Sequence, residues 1–300
     1  MFRLLPAWCR GALMGTLLVL NTLLVALAMV PPALLKLLLP ASGLRMRMDQ
    51  ALNALASTWV AVNNAWIGVV SPQAWDVAGV EGLHAQGWYL VSPNHQSWVD
   101  ILVLQRVFHG RIPFLKFFLK KELIWVPVIG LVWWALDFPF MARGKGRGAQ
   151  RNDLETTRAS CRKFRRIPTT VINFVEGTRR TPAKHAAQES PYRHLLRPKT
   201  GALGVALATM GELFEALLDV TLVYPDGVPT FWDLLCGRVG RVVVRVQPRT
   251  IPAELLGGDP SADSTLRQRH TQWVQAQWRE KDELVTQLLA DPPPPAPQRA

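Results

Sequence analysis

The 300-residue chain has little cysteine, little tyrosine and a shortage of negative charge. Its three cysteines, Cys9, Cys161 and Cys236, are far apart and odd in number, with no C-x-x-C pair and no His/Cys cluster at metal-ligand spacing. That argues against a structural zinc and reads as reduced thiols in a cytoplasmic environment. Acidic residues number 22 against 34 lysines and arginines, so the net charge of +12 calls for an anionic partner: nucleic acid, a lipid surface or a phosphorylated substrate. Charged residues are only 19% of the chain while hydrophobic ones are 49%, which is greasy for a soluble enzyme. A G-x-S-x-G elbow is also missing, which weighs against a serine hydrolase of the strand–turn–helix kind. Twelve tryptophans stand beside three tyrosines. That balance fits work at a membrane interface, although tryptophan is also a core residue.

The longest absence of charge runs from Gly11 to Leu35, "GALMGTLLVLNTLLVALAMVPPALL". About twenty apolar residues of helix span a bilayer core, so the stretch is long enough. Pro31 and Pro32 are expected to break or bend it. Two architectures fit: one spanning helix ending near the prolines, or a bent pair of helices dipping into one leaflet. Arg3 and Arg10 on one side and Lys36, Arg45 and Arg47 on the other favour the hairpin with both flanks on the cytoplasmic face. A cleaved signal peptide ending at the "ALA" of residues 26–28 is the rival, but the apolar run continues past that point.

Beyond it, residues 47–66 have helical spacing. "WDVAGVEGL" and "GWYLVS" read as strand, turn and strand, and "SWVDILVLQRVF" as a helix capped by Ser97. "IPFLKFFLKKELIWVPVIGLVWWALDFPFM" predicts a short strand, a helix ending at Lys120 and Lys121, and a second apolar helix. "RNDLETTRASCRKFRRIP" is a basic amphipathic helix, "TTVINFVEGTR" a buried strand running into a turn, and "TGALGVALATMGE" a small-residue helix. "ALLDVTLVYP" and "GRVVVRVQPRTI" are strands, followed by a long terminal helix and a proline-rich tail. The expected fold is therefore α/β, a mixed β-sheet flanked by helices, with an N-terminal hydrophobic membrane helix or helical hairpin. The expected organisation is a membrane-anchoring segment over 1–40, a helical connector over 41–75, a catalytic domain over 76–250, a helical region over 251–290 and a disordered tail over 291–300.

"SPNHQSWVD" puts His95 at the end of a strand and Asp100 in the first turn of the next helix, five positions on. The aspartate can accept from one ring nitrogen and leave the other as a general base. This is the His–Asp half of a triad with no nucleophile supplied by the protein. Ser97, two positions from His95, has poor geometry for that part and reads as a cap. A loop whose polar residues merely cap backbone groups is the plain alternative. "NFVEGTRR" offers a tight turn at Gly177, the Thr178 hydroxyl and two arginines to an anion, with Glu176 anchoring those arginines or bonding a substrate hydroxyl. "FPFMARGKGRG" is a flexible cationic loop, and "RPKTGALGVAL" sets Lys199 before a helix N-terminus. Each of these also reads as an ordinary solvated turn.

In this order the pieces resemble the glycerolipid acyltransferase family, that of bacterial 1-acylglycerol-3-phosphate acyltransferases. "NHQSWVD" matches its NHxxxxD block, "FPFMAR" its second block, "FVEGTR" its FxEGTR block, "KTGA" the stretch after it and "LVYP" its last block. Ala142 stands where the second block often has aspartate, and Val175 where the third often has proline. The resemblance implies that His95 deprotonates an acceptor hydroxyl and Asp100 orients it. Arg143, Glu176, Gly177, Thr178 and Arg179 would bind the phosphate and glycerol of a lysophospholipid, and Pro225 would lie near the donor. The donor would be acyl-CoA or acyl carrier protein, a thioester co-substrate with no further cofactor or metal, and an anionic membrane surface would be a partner. The expected location is the cytoplasmic (inner) membrane. A lipid thioesterase is the enzymatic rival. A basic membrane- or nucleic-acid-binding protein is the other class, but no stacking or recognition module is visible, so nucleic acid is not an expected partner.

Overall fold

The computed structural model describes residues 5–39, 43–70, 75–138, 140–141, 155, 158–159, 162–165, 167–260 and 262–291. Two long helices come first, α1 (Ala7–Leu38) and α2 (Gly43–Val70). Helix α1 runs unbroken through Pro31 and Pro32, contrary to the expected interruption, and its 32 residues extend about 48 Å at the usual rise. Proline removes amide donors, so the last turns need outside support. Lys36 provides it: its ammonium donates to Ala135 O at 2.9 Å and pairs with Asp49 and Asp137. The two helices are stitched by polar contacts inside an apolar seam. Asn21 Nδ2 donates to Asn63 Oδ1 at 2.9 Å and to Trp59 O at 3.1 Å, and Trp59 Nε1 donates to Thr22 Oγ1 at 3.0 Å. The outer face of α1 carries Leu20, Leu23, Leu24, Leu27, Leu34 and Leu38, all exposed. By length and composition α1 is long and apolar enough to cross a membrane.

The rest of the described chain is built on a mixed six-stranded sheet. Its strands are β1 (Trp75–Ala78), β2 (Tyr89–Pro93), β3 (Leu115–Phe117), β6 (Thr170–Ile172), β7 (Ala216–Val223) and β8 (Val242–Arg249), in the order β1-β8-β7-β2-β6-β3. All neighbours are parallel except β7 and β8. The central strand β2, "YLVSP", is buried at every position, as a parallel strand covered on both faces should be. Helices α3 (Val99–Phe108), α4 (Ile129–Ala135), α5 (Pro182–Ala187), α6 (Gly201–Met210), α7 (Phe231–Leu235) and α8 (Ser264–Ala290) complete the fold. Asp263 caps α8 by accepting from the amides of Thr265 and Leu266. Trp278 and Val274 of α8 join Leu90, Val171 and Leu217 in one apolar cluster on one face of the sheet.

One expected element is different. The expected helix ending at Lys120 and Lys121 is not formed; residues Leu119–Lys120 are a short strand, β4, paired with β5 (Phe140–Met141), and a 3-10 turn covers Lys121–Trp125. The lysine and apolar spacing of "FLKFFLKKEL" imitates a helical period, but pairing of Lys116 with Val171 at the sheet edge overrides it. Half of the expected basic helix at 151–168 and nearly all of the proline-rich tail lie outside the described residues; of the described part, 155, 158–159 and 162–164 are helical.

Candidate active site

Strand β2 delivers its loop to the carboxyl end of the sheet, where it is pinned before any functional group is placed. Asn94, fully buried, exchanges two hydrogen bonds with the backbone of Leu222 on β7: Nδ2 to Leu222 O at 2.9 Å, and Leu222 N to Oδ1 at 2.7 Å. Gln96 Nε2 donates to the same carbonyl at 2.8 Å. Asn94 therefore extends the β2–β7 pairing past Pro93, where a proline has no amide to offer.

Within that loop His95 Nδ1 lies 2.8 Å from Asp100 Oδ2. The same oxygen accepts from the amides of Gln96 at 2.6 Å and Ser97 at 2.9 Å, and Oδ1 accepts from Tyr224 Oη at 2.7 Å. Asp100 is 0% exposed, and among the described residues these four donors are its side-chain hydrogen-bond partners. As a carboxylate it is acceptor-only and suits four donors, which fixes a proton on His95 Nδ1. Burial first, then the charge of Asp100, push the Tyr224 phenol well above the ordinary tyrosine value, so it stays a donor. Among the described residues nothing bonds His95 Nε2. The imidazole stacks on Phe174 at 4.1 Å between centroids, and Phe174 stacks in turn on Phe117.

Ser97 is not aimed at this centre. Its hydroxyl donates to Pro229 O at 2.5 Å and accepts from Val99 N at 3.2 Å. The helix starts one residue later than the sequence suggests, with Trp98 in the cap position, although the Ser97 side chain still serves a first-turn amide. Three backbone amides just after His95 are already taken. The amides of Gln96 and Ser97 are committed to Asp100 and that of Val99 to Ser97.

The neighbouring strand β6 brings the second loop alongside. Arg180 N donates to His95 O at 2.7 Å, joining the two loops through their backbones. Gly177 turns with φ of +70°, the left-handed region glycine tolerates best. A Cβ at that position would sit 3.4 Å from Lys199 Cδ, so the lysine of "KTGA" lies across this turn. Lys184 Nζ donates to Thr178 Oγ1 at 2.7 Å and to Arg179 O at 3.1 Å, and the Arg179 guanidinium lies 4.7 Å over the Trp98 ring. Thr178, Arg179 and Lys199 are thus gathered at one cationic rim beside His95. Lys184 joins them unannounced by any sequence motif.

Glu176 departs from its expected partnerships. It is 1% exposed, pairs with neither adjacent arginine, and among the described residues neither carboxylate oxygen has a hydrogen-bond partner. Burial pushes its acid up to about 8, against the pull of the Lys281 charge. The backbones of His95 and Leu196 lie near enough to lower it in part without reaching hydrogen-bond geometry. Arg143 lies outside the described residues.

A family model described as Acyltransferase matches residues 75–225, just over half of the chain and the stretch that carries both loops. The chain belongs to the acyltransferase family. Among family relatives, 1-acyl-sn-glycerol-3-phosphate acyltransferase 3 of Arabidopsis thaliana is 33% identical over 156 residues, 47% of this chain and 39% of that protein. Human 1-acyl-sn-glycerol-3-phosphate acyltransferase delta is 27% identical over 207 residues, 64% of this chain and 51% of that protein. The chain therefore spans about half or less of the length of these curated relatives. The crystal structure of the 1-acyl-sn-glycerophosphate (LPA) acyltransferase PlsC from Thermotoga maritima superposes with a TM-score of 0.55 at 18% identity, covering 96% of this chain and 100% of that one. At that identity the likeness speaks for the fold, including the sheet and the long N-terminal helix.

Proposed function

We propose that the protein is a membrane-associated acyltransferase that moves a fatty acyl group from a thioester, acyl-CoA or acyl carrier protein, to the free hydroxyl of a lysophospholipid, 1-acylglycerol-3-phosphate above all, giving phosphatidic acid. The observation that carries the reading is the His95 ring: Nδ1 is held by a carboxylate whose other bonds are filled, and Nε2 is left open. His95 Nε2 takes the proton of the acceptor hydroxyl as its oxygen attacks the thioester carbonyl. Collapse of the tetrahedral intermediate breaks the C–S bond, and the departing thiolate takes the proton back from the imidazolium. A thioester is reactive enough to need no nucleophile, metal or cofactor from the protein. Thr178, Arg179, Lys184 and Lys199 suit the phosphate of the acceptor, since charge-assisted bonds to phosphate are the strong ones.

Location at the cytoplasmic membrane, with the catalytic half facing the cytoplasm, is part of the same reading. Both ends of α1 touch the catalytic half: Gly11 meets Trp232 and Cys236, and Lys36 bonds Ala135 O. A helix tied down at both ends favours lying along the interface, with its leucines in one leaflet, over crossing the bilayer. Exposed Trp98 and Trp232 beside the site suit the same depth.

The test is acyl transfer from oleoyl-CoA to lysophosphatidic acid in detergent, following CoA release and diacyl product together. His95→Ala should lower product formation by about 10³-fold or more, and Ser97→Ala should stay within about tenfold of wild type. CoA release without lipid product would replace this reading by a thioesterase. Loss of transfer in Ser97→Ala with His95 dispensable would restore the hydrolase-type nucleophile.

A further inference from the structure

A polar cavity lies away from the His95 loop, where the first turns of α2 meet the sheet edge. Its wall includes Arg45, Asp49 and Asn53 of α2, Lys116 of β3, Asp137 and Lys163, and it encloses about 190 Å³. Alternation along β3 separates it from the catalytic centre. Leu115 and Phe117 face the cluster that includes Val99 and Val103, and Phe117 stacks on Phe174 of the His95 wall. Lys116 points the other way, with its ammonium 4.9 Å over the Phe164 ring. Thr169 and Ile167 of the lining precede β6, whereas the catalytic loop follows the carboxyl end of β2.

The charges inside do not balance. Asp49 and Asp137 are both engaged by Lys36, and Asp137 Oδ1 also takes Lys163 at 3.0 Å. Two carboxylates thus face four cations, Lys36, Arg45, Lys116 and Lys163. Lys116 is only 7% exposed, and among the described residues no carbonyl or carboxylate accepts from its ammonium. A buried ammonium with three donors and no acceptor is costly unless something fills the space in front of it. Burial accordingly drags its pKa down to about 8 although Asp137 pulls it up. A phosphate group would reverse that penalty, and the cavity holds one together with a few attached atoms.

We propose that this cavity is a phosphate-binding site, taking a phosphate monoester dianion on Lys116, Arg45 and Lys163, with Asn53 at its side. The site is separate from the acyl-transfer centre and does not depend on the reading of that centre. Two sources carry the same chemistry: the headgroup of a phosphatidic-acid-type lipid reaching the foot of the helical hairpin, and soluble phosphate.

The experiment follows the thermal midpoint of the full chain in detergent. Inorganic phosphate replaces chloride at constant ionic strength, and in a parallel series the micelles are doped with phosphatidic acid or phosphatidylglycerol. Wild type should show a saturable rise with phosphate that chloride does not give. Lys116→Met should be at least as stable in chloride, because it removes a buried charge, and should lose the rise. A larger Lys116-dependent rise with phosphatidic acid than with inorganic phosphate, not matched by phosphatidylglycerol, identifies a lipid headgroup; the reverse identifies soluble phosphate. A wild type indifferent to both, or a Lys116→Met protein that responds like wild type, overturns the proposal. Should Lys116→Met fail to fold, Lys163→Gln at a half-exposed position decides alone. About threefold weaker phosphate dependence supports the site, as expected for a partly screened contact, and unchanged dependence overturns it.

Discussion

Two loops leave adjacent strands at the same end of the sheet, and each buries a carboxylate. In the β2 loop Asp100 is enclosed by four donors: an imidazole, two amides and a phenol. In the β6 loop Glu176 is as deeply buried and, among the described residues, has none. The first arrangement gives an acceptor-only carboxylate its donors and converts them into orientation, because moving Asp100 would break four bonds at once. The second stabilises the neutral form, because an ionised carboxylate without donors has nothing to replace water. So one loop is organised around a fixed negative charge beside a base. The other keeps its acid uncharged beside Arg179, Lys184 and Lys199, leaving their positive field undiminished, as the proposed phosphate-bearing acceptor requires.

The comparison is tested most severely at Asp100. Asp100→Asn keeps the shape but sets an amide NH₂ against either the Gln96 and Ser97 amides or the Tyr224 hydroxyl, and it no longer fixes the His95 tautomer. Acyl transfer should fall by about 10³-fold, seen in kcat more than in KM, with a loss of stability of about 1–3 kcal/mol from mismatched donors. An Asp100→Asn enzyme within tenfold of wild type would mean that the carboxylate only caps the loop. Tyr224 comes next. Tyr224→Phe removes one charge-assisted bond, costing about 1.5–3 kcal/mol, and leaves Oδ1 without its donor. Transfer should drop about tenfold, and the pH–rate profile of kcat should move, because the partner of the base has changed. A purely structural tyrosine would lower thermal stability while leaving that profile in place.

How much of this was written in the sequence follows from how far apart the partners are. His95 and Asp100 are five positions apart and meet through one turn of backbone, so a local pattern sufficed. The strand and helix alternation gave the sheet for the same reason, each element announcing itself within its own window. Tyr224 reaches Asp100 across 124 positions and Asn94 reaches Leu222 across 128, contacts that exist only because β2 and β7 are neighbours. Lys281 spans 189 positions to hold Ser92 O and also donates to Val220 O, bracing the same two strands from behind. Glu176 reads in sequence as a partner for the adjacent arginines. Its isolation depends on how the β6 turn packs against the core, and no spacing reports that. The misplaced helix before Lys120 has the same origin: local periodicity lost to pairing with a distant strand.

The smallest expected effect on acyl transfer belongs to Glu176→Gln, and it sharpens the contrast best because its effect on stability depends on pH. Burial pushes the folded Glu176 acid up to about 8 from an ordinary 4.5, so between those values the native state holds a proton that the unfolded chain has released. Native stability from this group is complete below about 4.5 and is lost progressively as pH rises to about 8, by at most about 1.4 kcal/mol per pH unit, levelling off above. Glutamine resembles the neutral acid and has no such slope. Lys281, whose charge lies near and pulls the other way, and Asp100, whose charge reinforces the rise, are present in both proteins, so their contributions cancel to first order. The midpoint of Glu176→Gln minus that of wild type should therefore grow between pH 5 and pH 8, while acyl transfer at pH 7 stays within a few-fold. A difference that does not change with pH would mean that Glu176 is already ionised in the folded protein. The β6 loop would then carry a fixed negative charge like its neighbour, and the distinction between the two loops would fail.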